Sequence, residues 1–298
     1  MSITVVGSVA LDTVETPSGR NEDGLGGAAM FFSIAASHYA PTHLVGVIGE
    51  DFPEEHVELL ASKNIDLDGL ERAEGKTFRW AGKYHEDINE RDTLHTHLNV
   101  FEHFHPKLPE AAQNAQYLFL ANIHPSLQME VLENSKAKFV GLDTMNLWID
   151  IALDDLKAVL AKVDMLVIND AEAKQLTDTS NVIQAAHDIK GLGPKVVVVK
   201  KGEHGCLLFT QDGIFAAPAY PLSEVVDPTG AGDSFAGGFM GHIAEQDSID
   251  PETLRQAVVH GSVTASYCCE KFGPDRLAEM SRADIDTRFG DFRALTTF

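Results

Sequence analysis

The chain of 298 residues is short of positive charge: Lys and Arg total 23 against 45 Asp and Glu, a formal net charge of −22. A surface of that sign repels polyanions, which argues against nucleic acid as a partner. Cysteine is scarce as well. Cys206, Cys268 and Cys269 include an adjacent pair and show no framework spacing, which excludes a disulfide scaffold and points to a reducing compartment, the cytoplasm. No apolar run approaches the length of a membrane span, and residues 2 to 9 pass into a strand-like run without a basic leader, so neither a membrane partner nor a secretory signal is expected. Internal repeats and low-complexity linkers are missing, and so is a GxxxxGK[ST] phosphate loop. What the chain does have is 44% hydrophobic residues, ample for a sizeable core.

The most informative stretch is VVDPTGAGDSFAGGFMG, Val225 to Gly241. The turn-forming Asp227-Pro228 leads into small residues, then an acid, then Phe235, Phe239 and His242-Ile243 at helical spacing, which predicts a loop feeding a helix N-terminus. Gly230, Ala231 and Gly232 let backbone N–H groups approach a ligand closely, and the unpaired amides of a first helical turn attract an anion. Asp233 then sits at the mouth of an anion site. A carboxylate there repels a phosphate unless it has a task, and accepting a proton from an attacking hydroxyl is such a task. The plainer alternative is a glycine-rich turn with an N-capping acid.

Elsewhere short apolar runs alternate with helical periodicity. Strands are expected at 3–7, 44–49, 117–121, 139–143, 165–169, 195–200 and 206–209, and helices at 28–39, 54–63, 125–134, 149–163 and 254–267. Such alternation favours a parallel sheet covered on both faces, with ligands at the strand ends. Asp12 falls just past the first strand, and Asn122, Asp143, Asn146 and Asn169 fall at later strand ends. Residues 16–25 read as a polar excursion, and Lys76 to Phe104 as a two-stranded ribbon around a charged turn. His95 and His97, like His103 and His105, stand at i and i+2, but no third ligand of useful spacing accompanies them, so surface histidines are the better reading.

Asp-x-Thr-Gly-Ala-Gly-Asp followed by Ser-Phe-x-Gly-Gly-Phe resembles the C-terminal signature of the ribokinase-like, or PfkB, family of carbohydrate and nucleoside kinases. Gly26-Gly27 before a helix, Ile48-Gly49-Glu50-Asp51, Asn169-x-x-Glu172 and the turn Lys201-Gly202-Glu203-His204-Gly205 resemble its other motifs, so the likeness spans essentially the whole chain. The resemblance implies one α/β kinase domain over residues 1–298: a three-layer αβα fold with a mostly parallel central sheet and a small β-lid, segments 13–25 and 76–104. It implies ATP-dependent phosphorylation of a hydroxymethyl group of a sugar or sugar-like molecule. Asp233 is then the general base and Gly230, Ala231 and Gly232 an anion hole. Asp12 and the Gly26-Gly27 backbone bind the acceptor, Glu172 holds Mg2+ through phosphate or water with Asn169 assisting, and Lys201, Gly202 and Gly205 line the nucleotide. Asp227 and Thr229 are the family's positions for a K+ ion.

The departures bear on the acceptor. Ala10 and Phe31 stand where many members have polar residues that bind sugar hydroxyls, and Met30 precedes Phe31. These are either helix core or an apolar pocket wall, and the latter favours the alternative of a nucleoside kinase. Arg79, Trp80 and Tyr84 on the lid are candidates for contacting the acceptor or for packing one lid against another in a homodimer. Few cations accompany them, which disfavours a phosphorylated acceptor. A remaining alternative is a binding protein that kept the fold and lost the chemistry.

Overall fold

Buried on both faces, runs such as Val196–Lys200 and Met165–Asn169 have no solvent side and so alternate with nothing; they stack in parallel as the centre of a sheet. The computed structural model describes residues 1–297. Its strands are β1 (Ile3–Val6), β2 (Ala10–Thr16), β3 (Gly19–Gly26), β4 (Thr42–Ile48), β5 (Ile65–Arg72), β6 (Phe78–Tyr84), β7 (Arg91–His97), β8 (Tyr117–Leu120), β9 (Phe139–Asp143), β10 (Met165–Asn169), β11 (Val196–Lys200), β12 (Cys206–Thr210) and β13 (Gly213–Ala217). Nine of them form one sheet in the order β13-β12-β11-β10-β9-β8-β1-β4-β5, and β3-β2-β6-β7 form a second. The large sheet is parallel from β5 through to β11, and its last two pairings are antiparallel.

Helices cover both faces of that sheet, giving the three layers expected. One core holds Phe32, Phe119, Phe239 and Ala257, with the Phe32 and Phe119 rings stacked at 4.5 Å; the other holds Leu118, Leu156, Leu166 and Ile189. The helix Ala231–Gln246 lies between the helices Ala28–Ser37 and Pro251–Cys268, and its glycines set how close they come. A Cβ on Gly237 would stand 2.5 Å from the Phe32 carbonyl oxygen, and one on Gly238 2.0 Å from Thr264 Oγ1. Gly237-Gly238 therefore buys a close helix crossing, which places Asp233 at the N-terminal end of this helix over the sheet.

The small sheet is the lid, built from both expected segments, 13–25 and 76–104, with its β2 beginning earlier, at Ala10. The polar excursion is in fact β3, hairpinned onto β2, and β2 also pairs in parallel with β6. Asp12 thus lies inside a lid strand and not at the end of a body strand. The reason is cross-strand pairing between segments far apart in sequence, which no local pattern announces. The ribbon itself ends at His97; Asn99–His103 is a 3-10 turn whose Phe101 stacks on Phe78 at 5.2 Å. The helix expected over 149–163 is two, Asn146–Ile151 and Leu153–Leu160, parted at Ala152, whose φ of −140° is not helical. Among the described residues no helix is long and apolar enough to cross a membrane.

Candidate active site

Three adjacent strands end on polar side chains. Asp143 closes β9, Asn169 closes β10 and Lys200 closes β11, with Asn169 and Lys200 paired in register. Asn169 then caps the helix Asp170–Thr177 through a reciprocal box: its Oδ1 accepts from Glu172 N at 2.8 Å, and Glu172 Oε2 accepts from Asn169 N at 3.1 Å. Capping thus engages Glu172, but it occupies only one of its carboxylate oxygens. Across from these strand ends, Gly230 turns the chain at φ 78° into the helix Ala231–Gln246. No side chain caps that helix start; Ala231 N, expected in the anion hole, donates instead to the Pro228 carbonyl at 3.1 Å, and the Gly232 and Asp233 amides remain open to an anion. Phe31 lies beneath the turn: a Cβ on Gly230 would stand 2.4 Å from its ring.

These elements bring Asp143, Glu172 and Asp233 around one ammonium, Lys200 Nζ, which lies 3.8 Å from Asp143 Oδ2. Burial, then repulsion by Asp143 and Glu172 working against the attraction of Lys200, pushes the Asp233 carboxyl up to about 7. Burial and the Asp143 charge likewise push Glu172 up to about 7, and burial raises Asp143. The three acids hold the Lys200 ammonium above its ordinary range despite its burial. A carboxyl poised near neutrality beside open helix amides suits proton acceptance from a hydroxyl.

The donor set also suits Mg2+. Glu172 and Asp143 supply hard oxygens next to the anion site, and among the described residues no group of three or more His, Cys, Asp or Glu forms that could hold a metal on protein ligands alone. Two carboxylates would leave the rest of a cation's shell to water and phosphate. His95 and His97 merely stack, at 4.8 Å.

On the opposite wall Asp12 is buried against the Gly26-Gly27 backbone. A Cβ on Gly26 would stand 2.1 Å from Asp12 Oδ2, and one on Gly27, whose φ is 98°, would stand 2.5 Å from the Ser8 carbonyl oxygen. Burial, with the charges of Asp227 and Asp233 adding to it against the Gly27 amide, pushes Asp12 up to about 7. Asp12 is in register with Trp80 on β6. Residues 80, 82 and 84 share one face of that strand, and Thr229 Oγ1 donates to the Tyr84 hydroxyl at 3.2 Å, so this is the face turned to the catalytic loop. The Trp80 indole lies over Gly82, donates to Thr93 Oγ1 at 3.4 Å, and carries the Arg91 guanidinium 5.1 Å from its centroid.

Other candidates fall elsewhere. Arg79 is held between Asp51 Oδ2 at 2.7 Å and Asp23 Oδ1 at 3.2 Å, tying lid to body. Met30 and Phe31 are 0% and 2% exposed, so Met30 is core and Phe31 supports the Gly230 turn. Asp227 Oδ1 accepts from Thr229 N and Oδ2 from Gly273 N, knitting the catalytic loop to the break at 272–274. Lys201 N donates to Gly205 O at 2.7 Å, and Gly202 and Gly205 hold φ of 55° and 82° in a tight turn beside Lys200. Asn122 is occupied by Trp148 Nε1, which donates to its Oδ1 at 2.7 Å. Two residues of the site carry no assigned role in the sequence reading: Lys200, which like Lys201 is there only a local cation able to meet ATP, and Asp143, there a strand end on the ligand edge. A charge at the carboxyl end of an otherwise apolar strand was the available signal for both.

Residues 2–279 match the family described as pfkB family carbohydrate kinase. The chain is 34% identical over 248 residues to the cytidine kinase of Thermococcus kodakarensis, which is 80% of this chain and 87% of that protein. In fold it is similar to the nucleoside kinase of Burkholderia thailandensis in complex with inosine, with a TM-score of 0.81 at 20% identity over 97% of both chains. It is likewise similar to a putative Ribokinase II from E. coli in complex with ATP and Mg2+, with a TM-score of 0.80 at 19% identity over 97% of this chain and 99% of the other. The loop, the strand ends and the match over nearly the whole length agree: the chain belongs to the PfkB, ribokinase-like family of kinases.

Proposed function

We propose that this kinase transfers a phosphoryl group from ATP to the hydroxymethyl group of a nucleoside. The observation that carries the acceptor is the Trp80–Arg91 stack beside Asp12, on the lid face turned to the catalytic loop. An indole and a guanidinium offer planar surface that stacks on a base, while a buried carboxylate next to open backbone suits ribose hydroxyls. A free hexose would leave that plane without a partner. The other lid cations are engaged, Arg20 with Glu22, Arg79 with Asp51 and Asp23, and Lys83 with Glu15, which favours an uncharged acceptor. The likeness to a cytidine kinase points the same way.

In this reading Asp12 and the Gly26-Gly27 backbone orient the acceptor, and Asp233 takes the proton of the attacking hydroxyl. The amides of Gly230, Gly232 and Asp233 stabilise negative charge at the transferred group. Glu172 and Asp143 would hold Mg2+, which offsets phosphate charge when bound. The lid shields the site from water, with Tyr84 resting on Thr229.

The test is a Mg2+-dependent ATP-consumption screen over cytidine, uridine, adenosine, inosine, ribose, fructose and inositol, with the product located by phosphorus NMR. A nucleoside is expected to be the best acceptor, yielding the 5′-phosphate, and Trp80→Ala should cost roughly tenfold or more in its kcat/KM while leaving ribose unchanged. A free sugar as best acceptor, with no effect of Trp80→Ala, sinks the nucleoside reading. Running the screen in K+ and in Na+ tests the cation expected at Asp227 and Thr229; turnover equal in the two removes it.

A further inference from the structure

Lys200 carries a largely enclosed ammonium that makes no hydrogen bond to protein among the described residues. Its Nζ approaches Asp143 Oδ2 no closer than 3.8 Å, whereas every other lysine ion pair among the described residues closes to 3.2 Å or less. Its side chain is only 19% exposed. A lysine kept to neutralise Asp143 would close on it, because a buried ion pair recovers its desolvation only through good geometry and satisfied donors. Nor is packing the reason for its place, since the charge is carried among three acids at the end of an apolar strand.

Two further facts give the direction of its unused donors. A Cβ on Gly232 would stand 2.8 Å from Nζ, so the ammonium touches the loop whose amides form the anion hole. Asp233 follows Gly232 directly, and the Lys200 charge acts on Asp233 and on Glu172 as well as Asp143. The ammonium therefore stands between the proposed Mg2+ side of the site and the proposed base, where the terminal phosphate of a nucleotide must lie if the loop binds it. Ammonium donors to phosphate oxygen are strong, charge-assisted bonds. The chain has no Walker lysine, and Lys200 comes to the same chemistry from a strand end.

We infer that Lys200 binds the terminal phosphate of the nucleotide, so that the ammonium passes from shielding Asp143 to holding the group being transferred. The inference rests on the kinase reading of this site, but not on which acceptor it takes.

The experiment uses the full chain and the variants Lys200→Met and Lys200→Arg. Calorimetry measures binding of the Mg2+ complexes of a non-hydrolysable ATP analogue, of ADP and of AMP, and steady-state kinetics follows turnover with the best acceptor. Lys200→Met should abolish most of the wild-type preference for triphosphate over diphosphate. It should also lower kcat/KM for ATP by roughly 100-fold, with acceptor KM within threefold of wild type. Lys200→Arg should restore part of both. Unchanged triphosphate preference in Lys200→Met overturns the inference. So does an equal loss for all three nucleotides and the acceptor that Lys200→Arg fails to relieve, since that marks a structural role. If wild-type enzyme phosphorylates none of the nucleosides, the acceptor reading fails, while the calorimetric comparison still decides the place of Lys200.

Discussion

Gly230 and Asp233 sit three residues apart and carry opposite risks. At Gly230 the positive φ and the Phe31 ring exclude any side chain, so Gly230→Ala should destabilise the chain by about 2 to 4 kcal/mol in urea unfolding. Adding Phe31→Leu should return part of that loss, since it opens the space; no recovery would show that backbone strain alone sets the cost. Asp233→Asn should keep nucleotide affinity and lose roughly 100-fold or more in turnover. Near-wild-type turnover would remove Asp233 as the base. The same variant should raise the melting temperature at pH 8. The folded Asp233 is held up to about 7 against an ordinary 3.8, so its ionisation costs stability as pH rises from about 4 to 7, and above that the full cost is present. The gain should therefore shrink on acidification and vanish near pH 4.

Elements set the geometry through which those residues act. The helix Ala231–Gln246 is anchored by close glycine crossings, whereas the lid meets the loop before it through two hydroxyls, Tyr84 on Thr229 and Thr16, which donates to the Val226 carbonyl at 2.8 Å. Because β6 carries Trp80 and Tyr84 on one face, the strand proposed to stack on the acceptor is also one that latches to the loop. Tyr84→Phe should raise acceptor KM about fivefold, the worth of a neutral hydrogen bond near 1 kcal/mol, and leave ATP KM unchanged. A matching rise in ATP KM would place Tyr84 in the loop's own folding instead. Much of this element-level picture was readable beforehand: the ribbon, the small-residue helix start and the strand ends all carry local patterns. The pairing within the four-stranded lid was not, because β2, already hairpinned onto β3, joins β6 across about sixty residues of intervening chain, and such pairing is not a local property.

For the molecule as a whole, acid and base groups oppose each other in pH. At the far end of the helix Ala231–Gln246, the rings of His242 and His260 stack at 4.2 Å, His260 also stacks on Phe289 at 4.5 Å, and the Tyr39 hydroxyl meets His260 Nδ1 at 3.2 Å. Burial first, then the neighbouring His242, lowers His260 from 6.5 to about 3. Below 6.5 the unfolded chain takes up a proton that the folded one refuses, so stability falls with pH through that window. By contrast Asp12, Glu172 and Asp233, each near 7 when folded, favour the folded state as pH falls from 7. His260→Phe should reduce the loss of unfolding free energy between pH 7.5 and 5 by about 2 kcal/mol relative to wild type. An identical pH slope in the two proteins would mean that the pair titrates freely in the fold.

The sequence alone was enough for the loop Asp227 to Asp233, the alternation of strand and helix, and the strand-end acids, because each rests on residue type at short spacing: glycine for positive φ, a period of 2 or 3.6, an acid where apolar character stops. It also left the acceptor open between sugar and nucleoside, since Met30 and Phe31 could equally be core or pocket. Only the tertiary structure decided that Met30 is core and Phe31 a support for Gly230, that Arg79 is tied to Asp51 and Asp23, and that Lys200 rather than Lys201 enters the acid cluster. It added β5 and β13 at the sheet edges, where half-exposed strands lack a strong apolar run. Those outcomes depend on which face of an element meets which neighbour. Facing is set by packing among segments distant in the chain, and so lies beyond any local pattern.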